Sequence, residues 1–329
     1  MKIALDIMGG DRAPNEILKG ALFASEFMEK IVLVGPKNIL DKNLKRKFEI
    51  VDSSDFIPMD ASPMDILRKK DSSMHIGLKL LKEKKVDAFV SAGATGPLFM
   101  GATTIVGRIK NIERPSLAIP VPSQKEFTIL IDGGANLRIR PKHYLEFAIM
   151  GMIYAEILGK EDPKVGLLNV GEEESKGDED IKEAYKLLKE KLRDKFVGNV
   201  EGRDINLGKV DVVVTDGFSG NVALKTMEGT AKLISDTIKK FIKKRKFFAY
   251  IGALFLRGVF SDLKKFLDPR NYGGAFILGV NGVVVKAHGS SDAIAIKNAL
   301  KVAKNGVEMK LVERIERGIE NVWNSGYGG

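Results

Sequence analysis

Along this chain, short runs of β-branched and aliphatic residues alternate with longer stretches whose apolar positions recur every three to four residues. The short runs predict strands over Lys2–Ile7, Ile31–Val34, Glu49–Val51, Ala88–Ser91, Leu117–Val121, Thr128–Ile131, Val165–Val170, Phe196–Val200 and Val210–Val214. The longer stretches predict helices over Asn15–Met28, Ser72–Lys84, Gly96–Ile109, Lys142–Leu158, Asp180–Leu192, Asp292–Lys304 and Glu308–Trp323. A hairpin over Phe276–Lys286 turns at Asn281-Gly282, a pair suited to a tight turn. Strand–helix alternation of this kind predicts an α/β fold, a three-layer α/β/α arrangement around a mainly parallel sheet. No internal repeat or low-complexity segment interrupts it.

Within that pattern, Val210–Gly229 stands out. An apolar run, Val210–Val214, breaks at Thr215-Asp216-Gly217-Phe218-Ser219-Gly220-Asn221 and resumes with helical spacing. A strand entering a helix through such a turn presents backbone N–H groups to an anion, with Lys225 one turn further on. An ordinary capped helix start explains the same residues about equally well. Comparable polar turns follow other strands: Asp6–Asp11, Ser91–Gly96, Asp132–Asn136, Asn169–Glu174 and Gly198–Asp204. Each by itself reads as a connection. Their common place after strands predicts a shared cleft at the carboxyl ends of the sheet.

Composition narrows the chemistry. In 329 residues there is no cysteine, which excludes thiol nucleophiles, disulfides and Cys–zinc sites. Lys and Arg number 53 against 43 Asp and Glu, a net charge of +10 that favours acidic partners. No apolar stretch reaches the ~18 residues of a membrane span, and the N-terminus carries no secretion-signal pattern, so a cytoplasmic chain is expected. Abundant Lys and Glu with a single Gln124 tilt composition toward that of thermophiles. G-x-G-x-x-G, the G-x-x-x-x-G-K-[ST] loop and the G-x-S-x-G elbow are all missing, which counts against a dinucleotide fingerprint, a P-loop enzyme and the usual serine hydrolase. Of the 3 histidines, His75 and His143 fall in predicted helices, whereas His288 sits in a strand-to-helix turn and is the acid/base candidate by type, with a structural role equally open. Asp178–Asp180 read as acidic residues favouring the start of the following helix. The segment from Lys239 to Leu267 joins a basic cluster, Lys243–Lys246, to the uncharged run Phe247–Leu256. That pairing predicts a protruding helical tip for a membrane surface or a dimer contact, with Phe247, Phe248, Ile251, Leu254 and Phe255 as its apolar face.

The motifs DIMGGDRAP (Asp6–Pro14), RKKDSSM (Arg68–Met74), SAGATG (Ser91–Gly96), DGGAN (Asp132–Asn136), FAIMG (Phe147–Gly151), GLLNVGEEE (Gly166–Glu174), GNVEGRD (Gly198–Asp204), TDGFSGNVALKTMEG (Thr215–Gly229) and KAHGSSDA (Lys286–Ala293) together resemble the bacterial phosphate acyltransferases of the PlsX family, nearly end to end. Ala94 departs from the asparagine usual in that family, and Gly133 from a bulkier apolar residue. The resemblance implies a single domain over residues 1–329 with two lobes around a cleft, a fold like isocitrate and isopropylmalate dehydrogenases, and a homodimer. It implies transfer of a fatty acyl group from acyl carrier protein to inorganic phosphate, for phospholipid synthesis, without cofactor or metal. Partners implied are the carrier protein, phosphate, the inner membrane face and a membrane glycerol-3-phosphate acyltransferase, with no nucleic acid. A phosphotransacetylase-like enzyme using short acyl-CoA and a non-catalytic membrane adaptor are the rival readings. The catalytic candidates are Lys225, Asn221, Asn199 and His288. The matching motifs supply Asp6, Gly9, Gly10, Asp11, Arg68, Ser72, Ser91, Gly93, Thr95, Asp132, Asn136, Glu172, Glu201, Arg203, Asp216, Ser219 and Gly220 as substrate-binding candidates.

Overall fold

The computed structural model describes residues 1–244, 255–267 and 274–324. Through the first half the chain forms β1 (Lys2–Asp6), α1 (Asn15–Ala24), β2 (Lys30–Val34), α2 (Lys42–Lys47), β3 (Glu49–Val51), α3 (Asp65–Arg68), α4 (Ser73–Lys82), β4 (Ala88–Ser91), α5 (Thr95–Gly101, continued by a π-helical turn over Ala102–Val106), β5 (Ser116–Ser123), β6 (Glu126–Ile131) and α6 (Pro141–Ile157). It continues with β7 (Val165–Leu168), α7 (Glu179–Leu192), β8 (Phe196–Val200), α8 (Gly202–Leu207), β9 (Val212–Val214), α9 (Gly217–Lys244), α10 (Arg257–Leu267), β10 (Ala275–Leu278), β11 (Val283–Lys286), α11 (Ala293–Glu308) and α12 (Leu311–Asn324). Asp178 caps α7 by accepting from the Ile181 N–H at 2.9 Å, the structural role expected of that acidic run.

Among the described residues one sheet of 11 strands runs β3-β2-β1-β4-β11-β10-β5-β6-β9-β7-β8. Most neighbours are parallel, as the alternation predicts. The pairs β11–β10, β10–β5 and β5–β6, however, are antiparallel and adjacent in the middle of the sheet. This run of reversals leaves β6, β9, β7 and β8 pointing opposite to β1, β4 and β11. The polar loops therefore fall into two sets at opposite ends of the strands, not the single carboxyl-end position that the sequence suggests. The predicted Asn281-Gly282 hairpin is the device that starts the reversal.

Alternation along the strands makes two different faces. One presents Leu5, Val90, Val285, Phe276, Ala118, Ile131 and Val214 to α1, α6, α7, α11 and α12, and forms one continuous core across the whole sheet. On the other face the cover is split. Leu98, Ala102 and Val106 of α5 pack with Phe89, Val284 and Leu117, while Ala223, Leu224 and Met227 of α9 pack with Leu130 and Val213. Half-buried Ile119 touches both groups. A seam over β10 and β5 separates α5 from α9 on this face, and it coincides with the reversal of strand direction.

After β9 the helix α9 returns across this face, starting at the Asp132 loop. Gly220 permits the docking, because a Cβ there would lie 1.9 Å from the Asp132 carbonyl oxygen. Gly133, the departure from the family pattern, is also explained: a Cβ would come within 2.4 Å of Ile119 Cδ1. Beyond Gly229 the helix leaves the sheet, and Leu233, Ile234 and Phe241 are exposed on it. In the expected tip, Phe255, Leu256, Val259, Leu263 and Phe266 are also exposed. Phe247, Phe248, Ile251 and Leu254 lie outside the described residues. Among the described residues, no helix is long and apolar enough to cross a membrane.

The start of α6 holds an ionic cluster, half-exposed at Glu113 and Lys142 and buried at His143 and Glu146. Glu113 bonds to Arg140, to Lys142 at 2.9 Å and to His143 Nε2 at 3.1 Å, and these partners, Lys142 first, pull its carboxyl down to about 2. Glu146, fully buried one turn on, accepts the Glu113 N–H at 3.1 Å and a backbone bond from Arg114, with Lys142 Nζ at 3.7 Å, but burial outweighs them and pushes its carboxyl up to about 7. The folded state thus holds the Glu146 proton more tightly than the unfolded chain, whose ordinary value is 4.5. Its contribution to stability is complete below 4.5 and is lost as pH rises through about 7. Glu146→Gln is expected to flatten this loss, raising the melting temperature at pH 8 relative to the parent while leaving it unchanged at pH 4.5. Melting curves at the two pH values check it.

Candidate active site

At one end of this seam the loops after β1, β4 and β11 meet around a buried carboxylate. Asp6 accepts from Ser73 Oγ at 2.6 Å, Ser91 Oγ at 2.7 Å and the Met8 N–H at 3.1 Å. Burial pushes its pKa up, and the serine hydroxyls oppose that shift. Ser91 Oγ also accepts the Gly93 N–H at 3.0 Å, so one carboxylate sets two loops. Gly9 allows their approach: a Cβ on it would stand 2.6 Å from the Gly93 nitrogen. The β1 loop is tied to the β11 loop by the Asp11 N–H donating to the Gly289 carbonyl at 2.9 Å. Thr95 and Gly96 open α5 beside this knot, with first-turn N–H groups that no intrahelical acceptor can reach.

Lys286 ends β11 opposite Ser91. It is buried, its Nζ donates to the carbonyls of Ala92 and Ala287, and desolvation lowers its pKa to about 8, with Asp11 resisting and Lys225 adding to the shift. His288, exposed at the mouth, accepts the Ser290 N–H on Nδ1 at 3.2 Å. Its pKa is lowered by desolvation first, then by Lys286 and Lys225, while Glu228 and Asp11 pull the other way. A neutral imidazole at neutral pH follows. Helix α9 brings Lys225 and Glu228 from the other side of the seam into this field, paired with each other at 2.7 Å.

At the opposite end stands a second knot. Asp132, fully buried, accepts the N–H groups of Leu117, Gly134, Ala135 and Asn136 and the Asn136 amide, at 2.7 to 3.2 Å. Burial raises its pKa, opposed by Asn136. Asn136 in turn donates to the Pro115 carbonyl at 2.8 Å, and its own carbonyl receives the Gly217 N–H at 2.7 Å. Asn221 lies against Gly134.

The structure thus unites Asp6, Gly9, Gly10, Asp11, Ser91, Gly93, Thr95, His288 and Lys225 at one end and Asp132, Asn136, Asp216, Ser219, Gly220 and Asn221 at the other. Several expectations are corrected. Asp132 has its oxygens filled by protein donors, so it is a loop organiser. At the start of α9, the Asp216 carboxylate accepts the Ser219 N–H at 2.7 Å and Ser219 Oγ at 3.1 Å. Gly217 and Gly220 donate to backbone carbonyls, so the turn that the sequence suggests as an anion seat is filled by its own cap. Ser72 is buried as the cap of α4, accepting from the His75 N–H at 3.3 Å, and its neighbour Ser73 makes the site contact instead. Arg68 is exposed beside Asp65 at 3.5 Å. Asn199, Glu172, Glu201 and Arg203 follow β7 and β8, at the sheet's outer edge, away from the Ser91 loop. There Asn199 donates to the Glu173 carbonyl at 2.8 Å, Glu172 pairs with Lys209 at 2.7 Å and Glu201 with Arg203 at 2.9 Å. Sequence reading missed Lys286. Its signal is a lone lysine closing the apolar run Val283–Val285 in register with Ser91.

The α/β fold is one that solved phosphotransacylases share. It is similar to a phosphotransacetylase from Streptococcus pyogenes, with a TM-score of 0.62 at 17% identity over 95% of this chain and 94% of that one. It is also similar to a branched-chain phosphotransacylase from Enterococcus faecalis, with a TM-score of 0.58 at 15% identity over 93% and 99%. The chain belongs to the fatty acid synthesis protein family, whose model matches residues 1–314, and it is an enzyme. It is 62% identical to the phosphate acyltransferase of Thermotoga maritima over 100% of both chains. It is 62% identical to that of Pseudothermotoga lettingae over 99% of both.

Proposed function

We propose that the chain transfers a fatty acyl group from the thioester of an acyl carrier protein to inorganic phosphate, giving acyl phosphate and free carrier. The observation that carries this reading is the buried Lys286, set with Lys225, the Thr95–Gly96 turn and neutral His288 around a cleft with no cysteine or serine elbow. Such a site suits a nucleophile that arrives already ionised. Phosphate needs only to be held against the thioester carbonyl while the developing oxyanion is stabilised. A phosphate oxygen bonds to the carbonyl carbon, the C–S bond breaks, and the electron pair leaves on the carrier thiolate, which takes a proton from solvent. Lys286 and the α5 N–H groups supply positive potential for the phosphate. Lys225, shared with Glu228, adds to it from the facing lobe. The +10 charge favours an acidic carrier. The exposed apolar residues of α9 and α10 support peripheral membrane contact, from which a long-chain acyl phosphate passes to a membrane acyltransferase, in an assembly we take to be a homodimer.

Incubation with long-chain acyl carrier protein and phosphate, followed by hydroxylamine trapping, should yield acyl hydroxamate in a phosphate-dependent way. Product from short acyl-CoA alone would overturn the reading. Lys225→Ala is expected to raise KM for phosphate about ten-fold, the size of one shared, partly exposed charge–charge contact. Phosphate titration of the variant checks it.

A further inference from the structure

Beyond the Asp132 knot lies a cavity of about 440 Å³ between the π-helical turn after α5, the loop from Gly107 to Pro115 and the start of α6. Arg108, Arg114 and Arg140 line it, with Phe99 and Pro115 as apolar walls. Only one carboxylate, Glu113, shares the lining, and Arg140 and Lys142 already neutralise it. Arg108 is held in place by donating to the Glu113 carbonyl at 2.6 Å. Among the described residues Arg114 has no ion pair, so its guanidinium is available. Arg108 and Glu113 also border a second space of about 480 Å³, which contains Trp323, the single tryptophan, with Lys142 Nζ 5.2 Å from its ring. None of these arginines is among the sequence candidates, and the Lys286 end of the seam does not involve them.

We propose that this cavity is the subsite for the phosphate ester of the thiol arm that delivers the acyl group, a pantetheine 4′-phosphate. The inference rests on the acyl transfer proposed above. Three guanidinium groups in one lining, Arg114 among them without an ion pair to a described residue, favour a phosphate ester by bidentate contact, and apolar walls suit the uncharged arm that follows it. Ala275 of β10 stands opposite Lys286 and Leu278 opposite Ser116. Three residues at ~3.3 Å each set these strand ends about 10 Å apart, and the cavity lies beyond the Leu278 end, where Arg108 pairs with Val280, so the arm must span more than that. The thioester would then lie over the seam between α5 and α9, and the incoming phosphate would reach it from the Lys286 end.

Calorimetry on the full chain, without turnover, tests the subsite. Pantetheine 4′-phosphate is expected to bind and to perturb Trp323 emission, with pantetheine at least about ten-fold weaker because it lacks the charged group. Arg114→Ala should weaken pantetheine 4′-phosphate about ten-fold and leave pantetheine unchanged. Equal binding of the two compounds, or no effect of Arg114→Ala, overturns the proposal. In turnover, Arg114→Ala should raise KM for the thioester and leave KM for inorganic phosphate alone; the reverse pattern would assign the cavity to the nucleophile and also overturns it. Tighter binding of holo carrier protein than of coenzyme A identifies the protein as the source of the arm, and the opposite order identifies the free cofactor; either order upholds the subsite. Failure to trap acyl hydroxamate while these binding results hold would reject the acyl transfer and not the subsite.

Discussion

Lys286→Met is expected to lower kcat/KM for phosphate by about 10²–10³-fold, the cost of removing one preorganised charge from a developing anionic transition state. The reason is location. An exposed lysine facing phosphate would be screened by water, whereas this ammonium is buried at the end of β11 and held by two carbonyls. Its pH behaviour offers a second reading of the same group. With a value of about 8 in the folded chain, the ammonium is lost at mildly alkaline pH, so kcat/KM of the parent should fall above about 8. Stability moves the other way. The unfolded chain holds the proton to 10.5, so unfolding takes up protons between 8 and 10.5 and stability rises across that window. Methionine removes both slopes and, by sparing the desolvation of a buried charge, should leave the fold intact. Phosphate kinetics from pH 6 to 9.5 beside melting curves check both. A variant that keeps full activity would take Lys286 out of the site.

Asp132→Ala is expected to be the most damaging single change to folding. It strips acceptors from four backbone N–H groups and the Asn136 amide, all converging on one buried carboxylate. Each buried donor left unpaired costs about 1–3 kcal/mol, so the sum rivals the ~5–15 kcal/mol of a whole domain. A fall in melting temperature on the order of 10 °C or more, or loss of soluble protein, is the expected outcome. Asp132→Asn keeps one acceptor and should fall between. Because this loop seats Gly217 and Gly220, the start of α9 should loosen with it, which hydrogen exchange over Gly217–Lys225 would register. Unchanged melting for Asp132→Ala would refute the assignment of this carboxylate as the loop's organiser.

The two results concern residues that the sequence treats very differently. Asp132 is conspicuous there, inside a Gly-rich motif after a strand, and is read as a substrate contact. In the structure the same position serves the protein's own backbone. Lys286 is inconspicuous, one lysine among many, yet it is the buried cation. Motif richness marks where the chain must turn tightly. It does not say whether the polar groups at the turn face inward to the loop or outward to a ligand.

What the sequence determines by itself is local. Periodicity assigns the strands and the longer helices to within a few residues, because a buried face must repeat with the geometry of its element, and it misses the short helices α2, α3 and α8. The Asn281-Gly282 pair specifies the hairpin, since few residues accept that turn. Missing cysteine and missing motifs exclude whole classes of chemistry. Strand order and direction are decided only by tertiary structure, because an apolar run such as Val212–Val214 is equally content up or down beside a neighbour. One hairpin and the β5–β6 pair reverse half the sheet, part the loops into two ends, and send Val210–Gly229 across the seam as a bridge between them. Burial does the rest: the apolar interior, formed only on folding, pulls the Lys286 pKa down and pushes that of Asp6 up, and so sets apart two side chains that the sequence presents as ordinary.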